Sequence, residues 1–230
     1  MFRELRQLLI SCSPHAKQDE YRIAAVDANI LGKPTMAARQ RTFGYLRELY
    51  SLDVNNREFR CLRALWDRDL RAQPLLAMLC ALSRDSALRG TCKAIVAARQ
   101  GIDVTSSDLA QSVKDSVPGR YDDASAARIG RNALSSWTQS GHLLAPNRNR
   151  KIRSTACCTL ETATYALYLG HLDGEAGQRL FTTEFVAALD REVATVKDFA
   201  FRAAGSGLLE YREAGGLVEI GFRQFELCVA

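Results

Sequence analysis

Apolar residues recur at helical spacing along most of the chain. In EYRIAAVDANIL (20–31) and REFRCLRALWDRDLRA (57–72) they return every three or four residues, the period of an amphipathic helix. Gly32 and Pro34 end the first of these segments, and Thr35 is placed to cap the next helix, MAARQRTFGYLRELY. The pattern predicts a mainly α-helical protein.

Near the C-terminus the apolar pattern changes from helical to strand-like. The segment GLLEYREAGGLVEIGF (207–222) has two short strand-like runs on either side of Gly215-Gly216. A Gly-Gly pair between two such runs is typical of a tight hairpin turn. We therefore expect a short C-terminal β-hairpin after the last helices.

Residues 102–157 have the order of elements found in a winged helix-turn-helix. Thr105 and Asp108 resemble a capping box at the start of a first helix, which ends before PGRY. Asp122 or Asp123 then caps ASAARIGRNALSSWTQS, a second helix that ends at Gly141. GHLLAPNRNRKIRSTAC follows as a short strand, a polar tip and a returning strand. Two helices and a basic hairpin in this order predict a winged helix-turn-helix unit.

The second helix of this unit has one apolar and one polar face. The spacing predicts a buried face formed by Ala126, Ile129, Ala133 and Trp137. The opposite side contains no acidic residue, and its side chains are types that reach phosphates or base edges in the major groove. The candidate DNA contacts on it are Ser125, Arg128, Arg131, Asn132 and Ser135.

Two further groups of cations are candidate DNA contacts. The first is the loop of the predicted wing, with Arg148, Arg150, Lys151 and Arg153 among seven residues that include no acid. A wing would place these cations beside the sugar-phosphate backbone, although an ordinary solvated basic loop is the alternative. The second group is Lys33, Arg39 and Arg41, around the start of an N-terminal helix, for which a solvated helix start is the alternative.

The charge of the chain is unevenly distributed. The formal net charge is +5, but residues 1–156 carry 25 Lys and Arg against 15 Asp and Glu, and residues 157–230 carry 6 against 11. A basic first part favours a polyanionic partner for that part alone. The acidic remainder would be the docking surface if the protein were an adaptor for other proteins.

Several function classes are not favoured by the sequence. The longest apolar run, PLLAMLCAL (74–82), has nine residues, and a spanning helix needs about 20, so no membrane span is expected. The N-terminus lacks the features of a signal peptide, which favours a cytoplasmic protein with reduced, mostly buried cysteines. Scattered histidines and the absence of phosphate-loop, dinucleotide or nucleophile motifs predict no metal, no cofactor, no small-molecule substrate and no enzymatic activity.

Four segments resemble the BrxA family of bacterial phage-exclusion (BREX) systems. They lie within roughly residues 20–190 and read NILGKPTMAARQRTFGYLREL, PLLAMLCALSRDSALRGT, PGRYDDASAARIGRNALSSWTQSGHL and TATYALYLGHLDGEAGQRLF. The resemblance implies a small accessory protein of an anti-phage locus that also encodes a methyltransferase, a phosphatase-like protein and a large ATPase. The family has been likened to the helical, RNA-binding antitermination protein NusB. No catalytic motif comes with it.

These observations predict three parts. Residues 1–101 form an N-terminal helical part with a helix-turn-helix-like segment, residues 102–157 the winged helix-turn-helix, and residues 158–230 the C-terminal helices and β-hairpin. The expected function is non-catalytic binding of double-stranded DNA within a BREX system. The alternatives are an adaptor that assembles other BREX proteins and, third, RNA binding in the manner of NusB.

Overall fold

The computed structural model of the protein describes residues 1–223 and 225–226. The first nine helices are α1 (Phe2–Ser11), α2 (Gln18–Arg22), α3 (Met36–Tyr50), α4 (Arg57–Trp66), α5 (Gln73–Arg84), α6 (Ser86–Arg89), α7 (Cys92–Ala97), α8 (Ser106–Ser116) and α9 (Asp123–Gln139). A π-helical turn (Ile23–Asp27) continues α2. The elements that follow are β1 (Leu143–Leu144), β2 (Ile152–Arg153), α10 (Leu160–Leu172), α11 (Glu184–Ala187), α12 (Val193–Gly205), β3 (Glu210–Ala214) and β4 (Leu217–Gly221). A 3₁₀ turn (Gly177–Thr182) precedes α11.

The mainly helical architecture predicted from the sequence is confirmed. Within the described residues, no helix combines the length and apolar character needed to cross a membrane.

Side-chain caps fix the starts of the helices where the sequence predicts them. The Thr35 hydroxyl accepts a hydrogen bond from the backbone N–H of Ala38 at the start of α3 (3.1 Å). At α8 the predicted capping box is complete, because Thr105 Oγ1 accepts from the N–H of Asp108 and Asp108 Oδ2 accepts from that of Thr105. The Asp122 carboxylate caps α9 by accepting from the N–H of Ser125 (2.7 Å). These bonds satisfy amides that have no partner inside the helix.

The core is built around two helices that are buried on nearly all sides. Helix α5 packs against α1, α3, α4, α9 and α10, and α10 packs in turn against α4, α11 and α12. Both are apolar around most of their circumference, as expected for helices without a solvent-facing side. One continuous buried cluster contains Leu5, Trp66, Trp137, Phe185 and Phe225. Side chains from all three predicted parts of the chain therefore share one core.

Two small antiparallel sheets complete the fold. In the first, β1 pairs with β2. In the second, all five residues of β3 pair with β4, and Gly215 and Gly216 form the two-residue turn between them with φ of +58° and +80°. Positive φ at both positions is the requirement that glycine meets without strain. The predicted C-terminal hairpin is confirmed.

The cysteines are free thiols where the structure describes them. Cys61, Cys80 and Cys92 are buried, Cys12 and Cys158 are half-buried, and Cys157 is exposed. Cys228 lies outside the described residues. Burial raises the pKa of Cys80 and of Cys92 to about 12, which keeps these thiols protonated and unreactive.

Candidate nucleic-acid interface

Helices α8 and α9 pack tightly against each other. At their closest approach Gly130 of α9 faces the backbone of α8, where an added Cβ would lie 2.2 Å from the Ser106 carbonyl oxygen. The segment between the helices contains Gly119, whose φ of +77° allows the tight reversal. The two helices and the turn thus form one packed unit.

The buried side of α9 differs at one position from the sequence prediction. Ala126, Gly130, Ala133 and Trp137 are buried, whereas Ile129 is only half-buried. The prediction for Ile129 was wrong because the backbone of α8 lies so close to α9 that only Gly130, which has no side chain, fits against it. Trp137 anchors the far end of the helix by donating from Nε1 to Thr91 Oγ1 (2.7 Å).

The opposite side of α9 is exposed as the sequence predicts. Arg128, Arg131, Asn132 and Ser135 are exposed, and Ser125 is half-buried. Neither Arg128 nor Arg131 forms an ion pair with a carboxylate of the described residues. Both guanidinium groups are therefore available to an anionic partner.

Part of this exposed side is also one wall of a cleft of about 700 Å³. Arg128, Asn132 and Ser135 line it from α9, and Tyr45 of α3 and Met78 of α5 line it from the other side. Gln139 also lines the cleft, and its Oε1 accepts hydrogen bonds from the backbone nitrogens of Met1 (3.1 Å) and Phe2 (3.0 Å). Arg131 lies outside the cleft.

A short hairpin follows α9. Its strands pair Leu143 with Arg153 and Leu144 with Ile152. Residues 101–104 add a third extended segment along β2, with hydrogen bonds from Arg153 N to Ile102 O and from Val104 N to Lys151 O, both 2.8 Å. The segment that precedes α8 thus holds the hairpin against the two helices.

The loop cations of the hairpin have different surroundings. Arg148 is exposed, and Lys151 is half-buried with its ammonium 3.2 Å from the Arg148 carbonyl oxygen. Arg150 is exposed but forms an ion pair with Asp103 (2.8 Å). Asn147 shapes the tip, because its Oδ1 accepts from the backbone N–H groups of Asn149 and Arg150. Among the loop cations, Arg148 has the fewest side-chain hydrogen bonds and ion pairs with the described residues.

Arg153 does not belong to the exposed set, which corrects the sequence prediction. It is 2% exposed and donates to the Ile95 carbonyl oxygen (2.8 Å) and to the carbonyl oxygen of Ser154. Its Nη2 pairs with the Asp190 carboxylate (2.6 Å), which arrives from the segment after α11. Arg153 therefore fixes the base of the hairpin to the C-terminal helices and is shielded from any DNA.

His142 is buried beside this ion pair. Its Nε2 donates to the Ala188 carbonyl oxygen (2.8 Å), and the Ser140 hydroxyl lies 2.8 Å from Nδ1. Burial, with a smaller contribution from the Arg153 charge, lowers the pKa of His142 from 6.5 to about 4. The imidazole is thus neutral at physiological pH and serves as a structural connection.

The three cations around the start of α3 also differ in their surroundings. Lys33 is half-buried and pairs with Glu4 (3.1 Å). Arg39 is half-buried and donates to the carbonyl oxygens of Lys33 (3.4 Å) and Val26 (3.3 Å), so it stabilises the preceding turn. Arg41 is exposed and lines a second concavity, on the surface of α3.

Comparison with protein-family models, with curated proteins and with solved structures gives no match.

Proposed function

We propose that residues 102–157 act as a winged helix-turn-helix that binds double-stranded DNA. The observation that carries the proposal is the exposed side of α9, where Arg128 and Arg131 form no ion pair with the described residues, next to a hairpin whose tip holds Arg148. In this arrangement α9 lies in the major groove and the β1–β2 hairpin lies along the backbone as the wing. The protein binds DNA without catalysis.

The exposed side chains have separate roles in this proposal. Arg128, Arg131 and Asn132 reach the groove, where guanidinium and amide groups hydrogen-bond base edges or phosphates. Arg148 and Lys151 contact phosphates and supply affinity without sequence information. Arg153 keeps the wing in place from within the core.

The biological setting that we propose is a BREX anti-phage system, with other BREX proteins as partners. It rests on the resemblance of the four sequence segments to the BrxA family. A test is co-expression with the methyltransferase, phosphatase-like protein and ATPase of such a locus, followed by affinity purification through this chain. Recovery of none of them would remove the support for this setting.

The cleft beside α9 favours a second candidate function, that of an adaptor. It combines apolar residues such as Leu49 and Met78 with polar ones such as Asn132, a mixture typical of protein-binding surfaces. In this alternative the same side of α9 holds a partner protein instead of DNA. RNA binding in the manner of NusB is the third candidate, and the experiment below includes it.

The experiment is an anisotropy titration of duplex DNA and of a matched RNA duplex with the wild-type chain and an R128A/R131A double variant. We expect the double variant to lose at least about tenfold in DNA affinity, since each specific contact contributes about 1–3 kcal/mol. Its melting temperature should barely change, because both side chains are exposed. R202A/R212A is the control with the same charge change in the acidic C-terminal part, and it should bind DNA like the wild type.

Unchanged duplex affinity in R128A/R131A would contradict the proposal. If partner capture is lost at the same time, the adaptor is the better account. Tighter binding of the RNA duplex than of the DNA duplex would favour the third candidate.

A further inference from the structure

A second basic concavity lies on α3, next to the cleft beside α9. It has a volume of about 760 Å³, and Arg41, Arg47 and Arg84 line it together with Tyr45. Arg41 and Arg47 come from α3, and Arg84 is the last residue of α5. It is open to solvent, and its volume exceeds what a single inorganic ion would fill.

The charge in this concavity is strongly positive. None of the three arginines forms an ion pair with a carboxylate of the described residues, and Glu48 is the one acid among those that line the space. Arg84 is held in place because its Nε donates to the Glu48 carbonyl oxygen (3.0 Å), and its two terminal nitrogens form no hydrogen bond with the described residues. A fixed guanidinium group with free terminal nitrogens matches the geometry of a phosphate.

Tyr45 gives the concavity an aromatic rim. Tyr45 is 52% exposed, so its ring is accessible to a ligand in the concavity. Tyr45 lines both this concavity and the cleft beside α9, so it stands on the ridge between them. An exposed ring beside several cations offers a stacking surface for a base next to contacts for its phosphates.

Gly44 keeps the space above α3 open. A Cβ added at this position would meet no atom within 4 Å, so neither packing nor backbone conformation requires the glycine. Glycine in the middle of a helix lowers its stability relative to most other residues. Gly44 lines the concavity, so a side chain added there would occupy part of it.

We propose that this concavity binds a single strand of nucleic acid, with phosphates on Arg41, Arg47 and Arg84 and one base stacked on Tyr45. A duplex keeps its bases paired and stacked on one another, so it has no free base to stack on Tyr45. A single strand has free bases that can stack there. The proposal does not depend on duplex binding by α9, because the two surfaces use different arginines.

The test uses the full chain and fluorescent oligothymidylate and oligouridylate of about twelve nucleotides, a length suited to typical single-strand sites. Two variants, G44E and G44Q, place side chains of nearly equal size in the concavity. Both replace a helical glycine with a better helix former, so both should melt at or above the wild-type temperature. We expect G44E to weaken strand binding at least about tenfold and G44Q to weaken it much less, because only Glu repels phosphates.

Two further comparisons complete the experiment. Y45A should weaken binding of the oligonucleotides severalfold, and Y45F should restore it, because stacking needs the ring and not the hydroxyl. R128A/R131A should bind the single strands like the wild type, while G44E should still bind duplex DNA. Binding of one oligonucleotide type alone would support the site and identify its strand as DNA or RNA.

The proposal is overturned if the wild-type chain binds neither oligonucleotide at low salt, or if G44E binds like G44Q. Equal affinity of Y45A and wild type, together with full competition by inorganic phosphate, would show a simple phosphate site and would also overturn it. Failure of duplex binding with intact strand binding would leave this proposal standing and contradict the function proposed for α9.

Discussion

The two proposed nucleic-acid surfaces are built in different ways. The α9–hairpin surface comes from a contiguous stretch of chain, in which Arg128, Arg131 and Arg148 project from adjacent elements. The α3 concavity combines α3 with Arg84, which is distant in sequence. The contiguous surface can be read from sequence periodicity, whereas the concavity exists only after α3 and α5 have packed together.

The two surfaces also depend differently on the core. The hairpin has strands of only two residues, too short to be stable alone, and it is held by the buried pair of Arg153 and Asp190. Helix α9 is held by the close contact at Gly130. Around Gly44, in contrast, α3 is open to solvent. Mutations in the core should therefore affect duplex binding through the positions of α9 and the hairpin.

The largest effect is expected for D190N, which removes the partner charge of Arg153 while keeping the shape of the side chain. A buried guanidinium left without its counter-ion costs about 3–5 kcal/mol in the free energy of unfolding. Urea denaturation measures this loss. At temperatures where the variant is folded, we expect weaker duplex binding because the hairpin is released.

A matched control exists in the surface pair of Lys197 and Glu213. E213Q removes a charge from a solvent-accessible pair and should leave the denaturation midpoint nearly unchanged. If D190N is as stable as E213Q, Arg153 does not anchor the hairpin.

A pair of glycine substitutions gives the next largest difference. G130A places a Cβ 2.2 Å from the Ser106 carbonyl oxygen, a backbone atom that cannot turn away, and should lower the free energy of unfolding by about 1–3 kcal/mol. G44A meets no neighbour within 4 Å and should raise it by up to about 1 kcal/mol. Thermal denaturation of the two variants compares them directly. Changes of the same sign would contradict the described packing of α8 against α9.

Acid should destabilise the base of the hairpin through His142. The folded-state pKa of about 4 lies below the ordinary 6.5, so the native state favours the neutral imidazole. This contribution is complete above pH 6.5 and is lost as the pH falls toward 4, by about 2 kcal/mol between pH 7 and pH 4.5. H142Q, which keeps a donor for Ala188, should lose less stability over that interval. Parallel losses in the two proteins, measured by urea denaturation, would rule out this role for His142.

The smallest effects concern the loop cations. R148A should reduce the slope of log affinity against log salt by about 0.9, the value for one phosphate contact. R150A should reduce it less, because Arg150 must give up its pair with Asp103 before it contacts DNA. Salt titrations by anisotropy on one duplex give both slopes. A larger change for R150A than for R148A would mean that the pair with Asp103 opens in the complex.

Local signals in the sequence predict much of this fold. Caps at Thr35, Thr105 and Asp122, the Gly215-Gly216 turn and the exposed side of α9 all lie where the sequence predicts them. Each depends on residues within a few positions of one another, so the chemistry that decides it is visible in a short window.

The features that the sequence does not predict depend on distant partners. Arg153 lies in a run of loop cations, and only Asp190, 37 residues later, explains its burial. Arg150 finds Asp103 across 47 residues, and Arg84 joins α3 through a carbonyl oxygen 36 residues away. Periodicity also does not predict whether Ile129 or Gly130 is the buried residue, because the distance between α8 and α9 decides which of them fits at the contact.

The most direct test of the two-surface account is arginine modification by phenylglyoxal, mapped by mass spectrometry on the free chain and on its nucleic-acid complexes. Duplex DNA should protect Arg128, Arg131 and Arg148 and leave Arg47 and Arg84 reactive, whereas the single-stranded oligonucleotide that binds should give the reverse pattern. The buried Arg153 should be unreactive throughout. If duplex DNA leaves Arg128 and Arg131 as reactive as in the free protein, α9 is not the DNA-binding surface and the account fails.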